Sequence, residues 1–223
     1  MPVFLLIDSA TSACHVGVSV DGQIVAEKRQ NDAFKHAEVL TLLVSACMEQ
    51  AGLAFAQLDA VVITGGPGSY TGLRIGASVA KGICFGSSAK LIALNTLQVM
   101  ASGYRQAHAG QVGKLVPMID ARRMEVFCAM YDAHGGVLES PAPMILDEQS
   151  FASYHDQPLH FFGDGAEKFK NLHQGIASFD LAFYLSPSAM LPLASQAFSL
   201  GKFESVAYYR PDYHKEFYSP MSK

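Results

Sequence analysis

The sequence predicts an α/β protein made of two lobes with a related topology. A pattern of strand, aspartate, turn, strand, turn and strand opens at residues 3–8 and recurs at residues 115–120. Segments with helical periodicity follow each copy, and an internal echo of this kind indicates two similar halves. The loop at residues 110–114 marks the boundary. We therefore predict an N-terminal lobe at residues 1–106 and a smaller C-terminal lobe at residues 107–223.

Composition favours an intracellular globular protein. The 223 residues are half hydrophobic and 16% charged, and the net charge of −4 argues against strong intrinsic binding to nucleic acid. The four cysteines have no short spacing, which is typical of buried thiols in a reducing cytosol. No apolar run approaches the roughly 20 residues of a membrane helix, and no leader opens the chain. We expect a cytoplasmic protein that does not contact a membrane.

The first three strands follow from local patterns. Residues 3–8 form a continuous apolar run that ends on a carboxylate, residues 15–20 form a second strand, and residues 23–28 form a third. Asp21-Gly22 is a strong signal for a two-residue hairpin turn between the last two. A strand that ends on aspartate, followed by a hairpin with serine and threonine, is the opening of the actin-like ATPase fold. In that fold the hairpin cradles phosphates and the aspartate acts through a metal.

A glycine-rich break connects the next strand and helix. Residues 61–63 form a β-branched strand, the break follows at residues 65–69, and a helix capped by Ser69 or Thr71 runs over residues 71–85. Such a turn places free N–H groups at the positive end of a helix, as phosphate-binding loops do. The break has neither the Gly-Lys-Ser/Thr ending of a Walker A loop nor a Gly-x-Gly-x-x-Gly pattern.

Two helices carry more apolar surface than one sheet covers. The helix at residues 36–51 and the helix at residues 71–85 each have one narrow polar stripe, which indicates an association surface unless C-terminal segments cover them. Gly72, Gly76 and Ala80 form an i, i+4 row that lets either the protein's own sheet or a helix of another subunit approach closely. The predicted interface consists of apolar and small residues of both helices: Val39, Leu40, Leu43, Cys47, Gly72, Leu73, Gly76 and Ala80.

The remaining elements complete the two lobes. Apolar runs predict further strands at residues 90–94, 115–120, 125–131, 136–140 and 159–162. Helical patterns predict helices at residues 95–104 and 188–200, with shorter segments near residues 147–154 and from residue 165. The aromatic, proline-broken tail at residues 207–223 is expected to drape over the surface instead of forming a helix.

Four motifs resemble the TsaB (YeaZ-like) family: Asp8-Ser-x-Thr11, a helix that opens His36-Ala-Glu, the run GGPGSYTGLRIGASVAKG at residues 65–82, and IDARRMEVF at residues 119–127. The resemblance implies a two-lobed actin-like, Hsp70-like (ASKHA) fold with mixed sheets flanked by helices. This agrees with the repeated pattern of strand, aspartate and hairpin. The resemblance also implies a non-catalytic partner in making threonylcarbamoyladenosine next to the tRNA anticodon.

The same resemblance implies a set of partners and no cofactor of the chain's own. The chain would bind and activate a TsaD-like threonylcarbamoyl transferase, work with a TsaE-like ATPase, and form a homodimer when alone. It would meet tRNA only indirectly. ATP or ADP would bind only in the assembled complex.

One departure from the TsaD pattern bears on catalysis. TsaD-like enzymes carry an Asn-His-x-x-x-His helix motif whose histidines hold a metal, and the matching residues here are Thr96 and Met100. Threonine is a poor ligand and a thioether binds hard metals weakly, so we predict no metal site and no catalytic residue. The alternative is a metal-dependent peptidase, as the family's older glycoprotease label implies, and this ligand set disfavours it.

Asp8, Thr11 and Asp120 stand where the actin-like fold keeps its phosphate-facing groups. Two carboxylates beside a cleft would hold a magnesium nucleotide, or they are strand-end caps inherited from an active ancestor, and we predict a vestigial cleft. A small-molecule kinase of the actin-like fold is a further alternative, with Gly163-Asp-Gly165 as its candidate adenosine contact. Arg122-Arg123 either contact phosphate or form a solvated hairpin.

Overall fold

The computed structural model describes residues 2–31, 36–154, 157–173 and 176–214. Within these residues the chain forms two mixed five-stranded sheets flanked by helices, as predicted. The first sheet contains β1 (Val3–Asp8), β2 (Cys14–Val20), β3 (Gln23–Gln30), β4 (Ala60–Gly66) and β5 (Lys90–Asn95). The second contains β6 (Lys114–Asp120), β7 (Glu125–Tyr131), β8 (Val137–Ile145), β9 (Leu159–Phe162) and β10 (Ala177–Asp180).

Both sheets have the same topology, which confirms the internal echo. Their strand orders are β3-β2-β1-β4-β5 and β8-β7-β6-β9-β10. In each sheet the first three strands form an antiparallel meander, and the last two extend it in parallel from the first strand. The predicted hairpin turn at Asp21-Gly22 has φ values of 54° and 79°, and positive φ at both positions is what a type I′ turn requires.

The helices cover both faces of the first sheet. In the described residues the α-helices are α1 (His36–Ala51), α2 (Tyr70–Ser87), α3 (Thr96–Ala107), α4 (Glu167–Lys170) and α5 (Pro187–Ser199). α1 and α2 pack on one face of the first sheet, whereas α3 and α5 pack on the other. β1 therefore has no solvent-facing side, which explains its unbroken apolar sequence. Across the described chain, no helix has both the length and the apolarity needed to span a membrane.

The two lobes share one hydrophobic core. The inner faces of both sheets form it together with α3 and α5. Tyr104 of α3 contributes to the junction because its ring stacks on Phe162 of β9, with 4.2 Å between ring centroids. Buried aromatic pairs of this kind contribute beyond the area that they bury. The lobes are therefore joined by packed side chains as well as by the chain itself.

The chain after β10 returns to the first lobe, which corrects the predicted domain boundary. α5 packs against α3 and the first sheet, and Glu204 N donates to Leu91 O at 2.8 Å at the edge of β5. The physical reason is that the first sheet is apolar on both faces, and α5 supplies buried side chains to the face opposite α1 and α2: Ala189, Met190 and Ala194. Residues 187–214 are thus not part of the second lobe, whose sheet lies within residues 114–180.

Three element predictions differ from the structure. The strand predicted at residues 136–140 continues to Ile145, and the segment predicted as helical at residues 147–154 contains a 3-10 turn at Ala152–Tyr154. β10 is absent from the prediction, because four residues are too few to show a period. The tail is non-helical over residues 207–214, as predicted. Its last residues, 215–223, lie outside the described part of the chain.

All four cysteines are buried, as predicted. Burial raises the pKa of Cys14 and of Cys128 to about 12, and neighbouring carboxylates add to the effect. Burial also raises the pKa of Cys47 and of Cys84 to about 11. Because the thiolate is the reactive form, these residues are poor nucleophiles near neutral pH.

We predict that the native protein does not react with a thiol reagent such as Ellman's reagent at about pH 8, where a pKa of 11 leaves about one thiol in a thousand ionised. All four thiols should react once the protein is unfolded in guanidinium. A Glu148→Cys variant supplies an accessible control thiol, because Glu148 is exposed. A native thiol that reacted as fast as this control would contradict the burial.

Candidate functional site

The glycine-rich break joins the carboxyl end of β4 to the start of α2. Ser69 is the N-cap of α2, as predicted, and its Oγ accepts a hydrogen bond from Gly72 N at 3.3 Å. Ser69 N donates to Ala10 O at 2.7 Å, and Leu73 N donates to Ser69 O at 2.8 Å. These three amide groups are therefore satisfied within the chain, whereas a phosphate-binding loop keeps such groups for its ligand.

The glycines of the break admit backbone from elsewhere in the chain. Asp212 N donates to Gly65 O at 2.8 Å, and a Cβ on Gly66 would overlap the carbonyl oxygen of Asp212. A Cβ on Gly68 would likewise overlap the carbonyl oxygen of Ala10. Gly66 also has a φ of 119°, which residues with side chains rarely adopt. Close approach of the C-terminal segment and of the β1–β2 turn thus explains a pattern that is also typical of phosphate loops.

A cavity of about 410 Å³ lies beside the break. The carboxyl ends of β4 and β5 form one wall, and residues 204–212 of the C-terminal segment form the other, including Tyr208 and Arg210. Asn95 at the end of β5 caps α3, because its Oδ1 accepts a hydrogen bond from Gln98 N at 3.1 Å. The break, the start of α3 and the C-terminal segment therefore meet at one edge of the first sheet.

Ser9 explains the small residues of α2. Its Oγ donates to Gly72 O at 2.9 Å and would overlap a Cβ on Gly76. Ala80, one turn further along, is fully buried in the core between α2 and the first sheet. The row of Gly72, Gly76 and Ala80 therefore serves contact with the protein's own first lobe. This is one of the two alternatives that the sequence leaves open.

Asp8 is a buried structural residue. Its carboxylate is 1% exposed, and Oδ1 accepts hydrogen bonds from Thr64 Oγ1 at 2.7 Å and from Ala10 N at 3.1 Å. These bonds tie the end of β1 to β4 and to the following turn. Thr11 is half-buried in that turn. The Asp8 carboxylate is therefore enclosed by the chain itself in this arrangement.

Asp120 lies in a different environment at the end of β6. Its side chain is 43% exposed, and Oδ1 accepts hydrogen bonds from Lys168 Nζ at 2.7 Å and from Arg122 N at 2.5 Å. Arg122 and Arg123 form the turn to β7 with φ values of 73° and 51°. The predicted cleft therefore consists of one buried carboxylate and one exposed, ion-paired carboxylate. The vestigial nucleotide cleft at Asp8, Thr11 and Asp120 stays a prediction.

Thr96 and Met100 are the residues that the motif resemblance matches to the histidines of the transferase. Both side chains are buried, and a Cβ on Gly163 would overlap the Met100 methyl group. A Cβ on Gly165 would lie 2.9 Å from the backbone of β6 at Ile119. Packing against β6 and α3 therefore accounts for the two glycines that suggested an adenosine contact. The described residues contain no group of three or more His, Cys, Asp or Glu side chains that would hold a metal ion.

Most of the predicted interface residues belong to the chain's own core. Five of the eight are at most 1% exposed or have their Cβ position occupied by the chain itself: Leu40, Cys47, Leu73, Gly76 and Ala80. Gly72 is also buried, whereas Val39 and Leu43 are half-buried. The prediction is corrected accordingly, because a side chain covered by its own sheet offers no area to a partner. Val206 and Tyr209 pack on the same cluster, so the C-terminal segment covers part of this apolar surface.

Among the side chains of these helices that the structure describes, the exposed large apolar residues are Leu42 and Phe85, which the sequence reasoning missed. Leu42 of α1 is 67% exposed, and Phe85 of α2 is 90% exposed. The sequence held a signal for both. Leu42 stands four residues after Glu38 and Phe85 four residues after Lys81, so each is an apolar residue on a polar stripe. A partner that docks on α1 and α2 would meet these two side chains first.

The repeated sheets, the shared core and the flanking helices define a two-lobed protein of the actin-like class. A solved structure of the same class, the inorganic polyphosphate/ATP-glucomannokinase from Arthrobacter sp. strain KM, superimposes with a TM-score of 0.50 at 11% identity, over 88% of this chain and all of that chain. This likeness concerns the fold alone. YeaZ from Pseudomonas aeruginosa superimposes with a TM-score of 0.80 at 24% identity, over 96% of this chain and all of that chain.

Sequence comparison gives the family. The family model TsaD, tRNA N6-adenosine threonylcarbamoyltransferase, matches residues 23–199. The tRNA threonylcarbamoyladenosine biosynthesis protein TsaB of Escherichia coli (strain K12) is 31% identical over 221 residues, which is 94% of this chain and 93% of that protein. TsaB of Bacillus subtilis (strain 168) is 26% identical over 91% of this chain and 88% of its own length. The chain belongs to the TsaB (YeaZ-like) family, as its motifs predict.

The first test of the site concerns the glycines of α2. We predict that Gly76→Ala lowers the free energy of unfolding by about 1 to 3 kcal/mol, because the new methyl group overlaps Ser9 Oγ in a packed region. Gly82→Ala on the same helix is the matched control. Among the described residues nothing lies within 4 Å of its Cβ position, so better helix propensity should raise stability by up to about 1 kcal/mol.

Urea unfolding measures both variants, and a double variant isolates the cause. Adding Ser9→Ala should make Gly76→Ala less harmful, because it removes the overlapping hydroxyl. If Gly76→Ala and Gly82→Ala changed stability equally, the assignment of Gly76 to the contact with Ser9 would be wrong.

The second test concerns Asp8. We predict that Asp8→Ala lowers the free energy of unfolding by about 2 to 3 kcal/mol, because Thr64 Oγ1 and Ala10 N lose a buried acceptor. Asp8→Asn keeps an acceptor oxygen and should lose less. Glu148→Ala removes an exposed carboxylate and should be neutral. Equal stability of Asp8→Ala and the unmodified protein in thermal melts would show that the carboxylate has no structural role.

Proposed function

We propose that the chain is a non-catalytic subunit required for threonylcarbamoyladenosine modification of tRNA, and that it binds and activates a TsaD transferase. The observation that carries this proposal is the pair Thr96 and Met100. The fold and the family extend over nearly the whole chain, yet these buried side chains stand where TsaD-like enzymes have metal-binding histidines. A chain that keeps the scaffold and replaces the ligands is suited to supporting a related enzyme.

The cysteines and carboxylates also support a non-catalytic role. Every cysteine is a buried thiol with a raised pKa. Asp8 is occupied by Thr64 and Ala10, and Asp120 is paired with Lys168. A nucleophile or general base needs an accessible group with a suitable pKa. These groups serve structure in the described chain, which favours an activator over the peptidase or kinase alternatives.

The exposed sides of α1 and α2 are the surface that we propose for the partner. Leu42 and Phe85 offer apolar area there, and Gly82 and Gly86 beside Phe85 leave the helix surface open. Because the transferase family model matches this chain, a TsaD partner has a related fold and would present equivalent helices. Two related lobes would then pair about an approximate twofold axis. The same surface would support a homodimer when the chain is alone, so the two pairings would compete.

The remaining partners complete the proposal. A TsaE-like ATPase joins the complex, tRNA is met only indirectly, and ATP or ADP binds only in the assembly. Reconstitution tests this scheme by omitting each component in turn. Threonylcarbamoyladenosine should form with the chain and TsaD together and should fall sharply without either. Full tRNA-modification activity without the chain would rule out the proposed function. One equivalent of zinc or iron in the pure chain, with peptide cleavage, would favour the peptidase instead.

Leu42→Arg tests the surface directly. An arginine in place of an exposed leucine leaves the fold intact, but a close apolar contact would bury an unpaired charge, which costs several kcal/mol. We predict that TsaD capture by the variant falls by at least about tenfold and that the tRNA-modification assay falls with it. Ile145→Arg is the matched control, because Ile145 is 74% exposed on the second lobe. Unchanged capture by Leu42→Arg, with an unchanged melting temperature, would place the partner elsewhere.

A further inference from the structure

Residues 204–214, which we name the strap, follow α5 and cross the edge of the first sheet that carries the glycine break. The strap begins at Glu204, whose N–H donates to Leu91 O at 2.8 Å on β5. Eight residues later, Asp212 N donates to Gly65 O at 2.8 Å on β4. The strap thus crosses two neighbouring strands and is attached by backbone at both.

α2 holds the strap along its length. Lys81 Nζ donates to Ala207 O at 3.2 Å and to Tyr209 O at 3.4 Å. Further on, the Tyr213 ring lies 4.5 Å from the Tyr70 ring, between centroids. Val206 and Tyr209 of the strap also pack on the core between α2 and the first sheet. The contact between Tyr213 and Tyr70 at the start of α2 lies outside that core, so the part of the strap beyond Tyr209 would open before the core does.

The strap then reaches the second lobe. The ring of His214 lies 6.5 Å from the ring of Phe127 on β7, and its Nε2 lies 3.1 Å from Asp212 Oδ2. Phe127 belongs to the core that the two lobes share. The strap therefore contacts the junction between the lobes from the side of β7, in addition to its backbone bonds to the first sheet. A segment attached to both lobes opposes rotation of one lobe against the other.

We propose that the part of the strap beyond Tyr209 is a latch that restrains the angle between the two lobes and can be released without unfolding either of them. It is fastened by Lys81 and Tyr70 on the first lobe and by Phe127 on the second. This inference goes beyond the proposed function and does not rest on it, because the latch is a property of the isolated chain. Release would widen the range of lobe angles and uncover the glycine break.

Distance measurements between spin labels test the latch in the full-length chain. Labels at Glu49→Cys on α1 and Glu148→Cys on the second lobe use exposed positions, and the buried native thiols should stay unlabelled. The distance distribution should be narrow in the parent and at least twofold broader after Lys81→Met or Tyr213→Ala. Lys90→Met removes an exposed lysine elsewhere on the first lobe and should leave the distribution unchanged. Equal widths in all four proteins would overturn the proposal.

Amide hydrogen exchange gives a second measurement on the same proteins. The Asp212 amide should be protected in the parent and should exchange at least tenfold faster in Lys81→Met, while amides of β1 keep their rates. Unchanged β1 rates would show that the fold survives the substitution. An Asp212 amide that already exchanged in the parent as fast as an unstructured peptide would show that no latch is closed, and the inference would fail.

Discussion

The two-sided burial of the central strands of the first sheet is the constraint on which the rest of the structure depends. β1 and β4 carry apolar side chains on both faces, and a sheet of this kind is stable only when both faces are covered. α1 and α2 cover one face, and α3 and α5 cover the other. The chain must therefore come back from the second lobe to the first. That return places the C-terminal segment against the glycine break.

This constraint also decides what the motif residues do. Asp8 ends a strand with no exposed side, so its carboxylate is enclosed and bonded to Thr64. The break after β4 meets Asp212 and Ala10 from two directions, and glycine is the residue that lets backbones approach this closely. Close packing thus accounts for sequence features that are also typical of phosphate binding. The proposed scaffold role is consistent with that packing.

Local sequence patterns predicted the fold well, whereas features that depend on contacts between residues distant in sequence were not predicted. The VFLLID run and the Asp21-Gly22 turn each determine their own structure, so β1 and the first hairpin follow from a few neighbouring residues. The role of Gly76 cannot be derived from its neighbours in sequence, because it contacts Ser9, which is far away in sequence and lies in a turn. Periodicity shows that a helix face carries small or apolar residues, but it does not show what covers that face. The same limit explains why α5 was assigned to the wrong lobe.

The candidate site was predictable in its residues and less so in their roles. Thr96 and Met100 were recognised because a missing ligand is visible in sequence. The exposed residues Leu42 and Phe85 were not, although each interrupts a polar stripe. Burial of the other helix residues depends on the strap and on α1–α2 packing, which are tertiary properties. An apolar helix therefore indicates that something covers it, and only the three-dimensional structure distinguishes the chain itself from a partner.

The two sheets share a strand order, yet they close their outer faces by different means. In the first lobe the connections after the third and fourth strands carry helices of 16 and 18 residues. In the second lobe the equivalent connections carry a 3-10 turn of three residues and a helix of four. Phe151, Phe161 and Phe169 meet there edge to face, with centroids 5.1 to 5.4 Å apart. Packed aromatic side chains thus cover the sheet of the second lobe where long helices cover the sheet of the first. The stability of the second lobe therefore depends on a few aromatic rings.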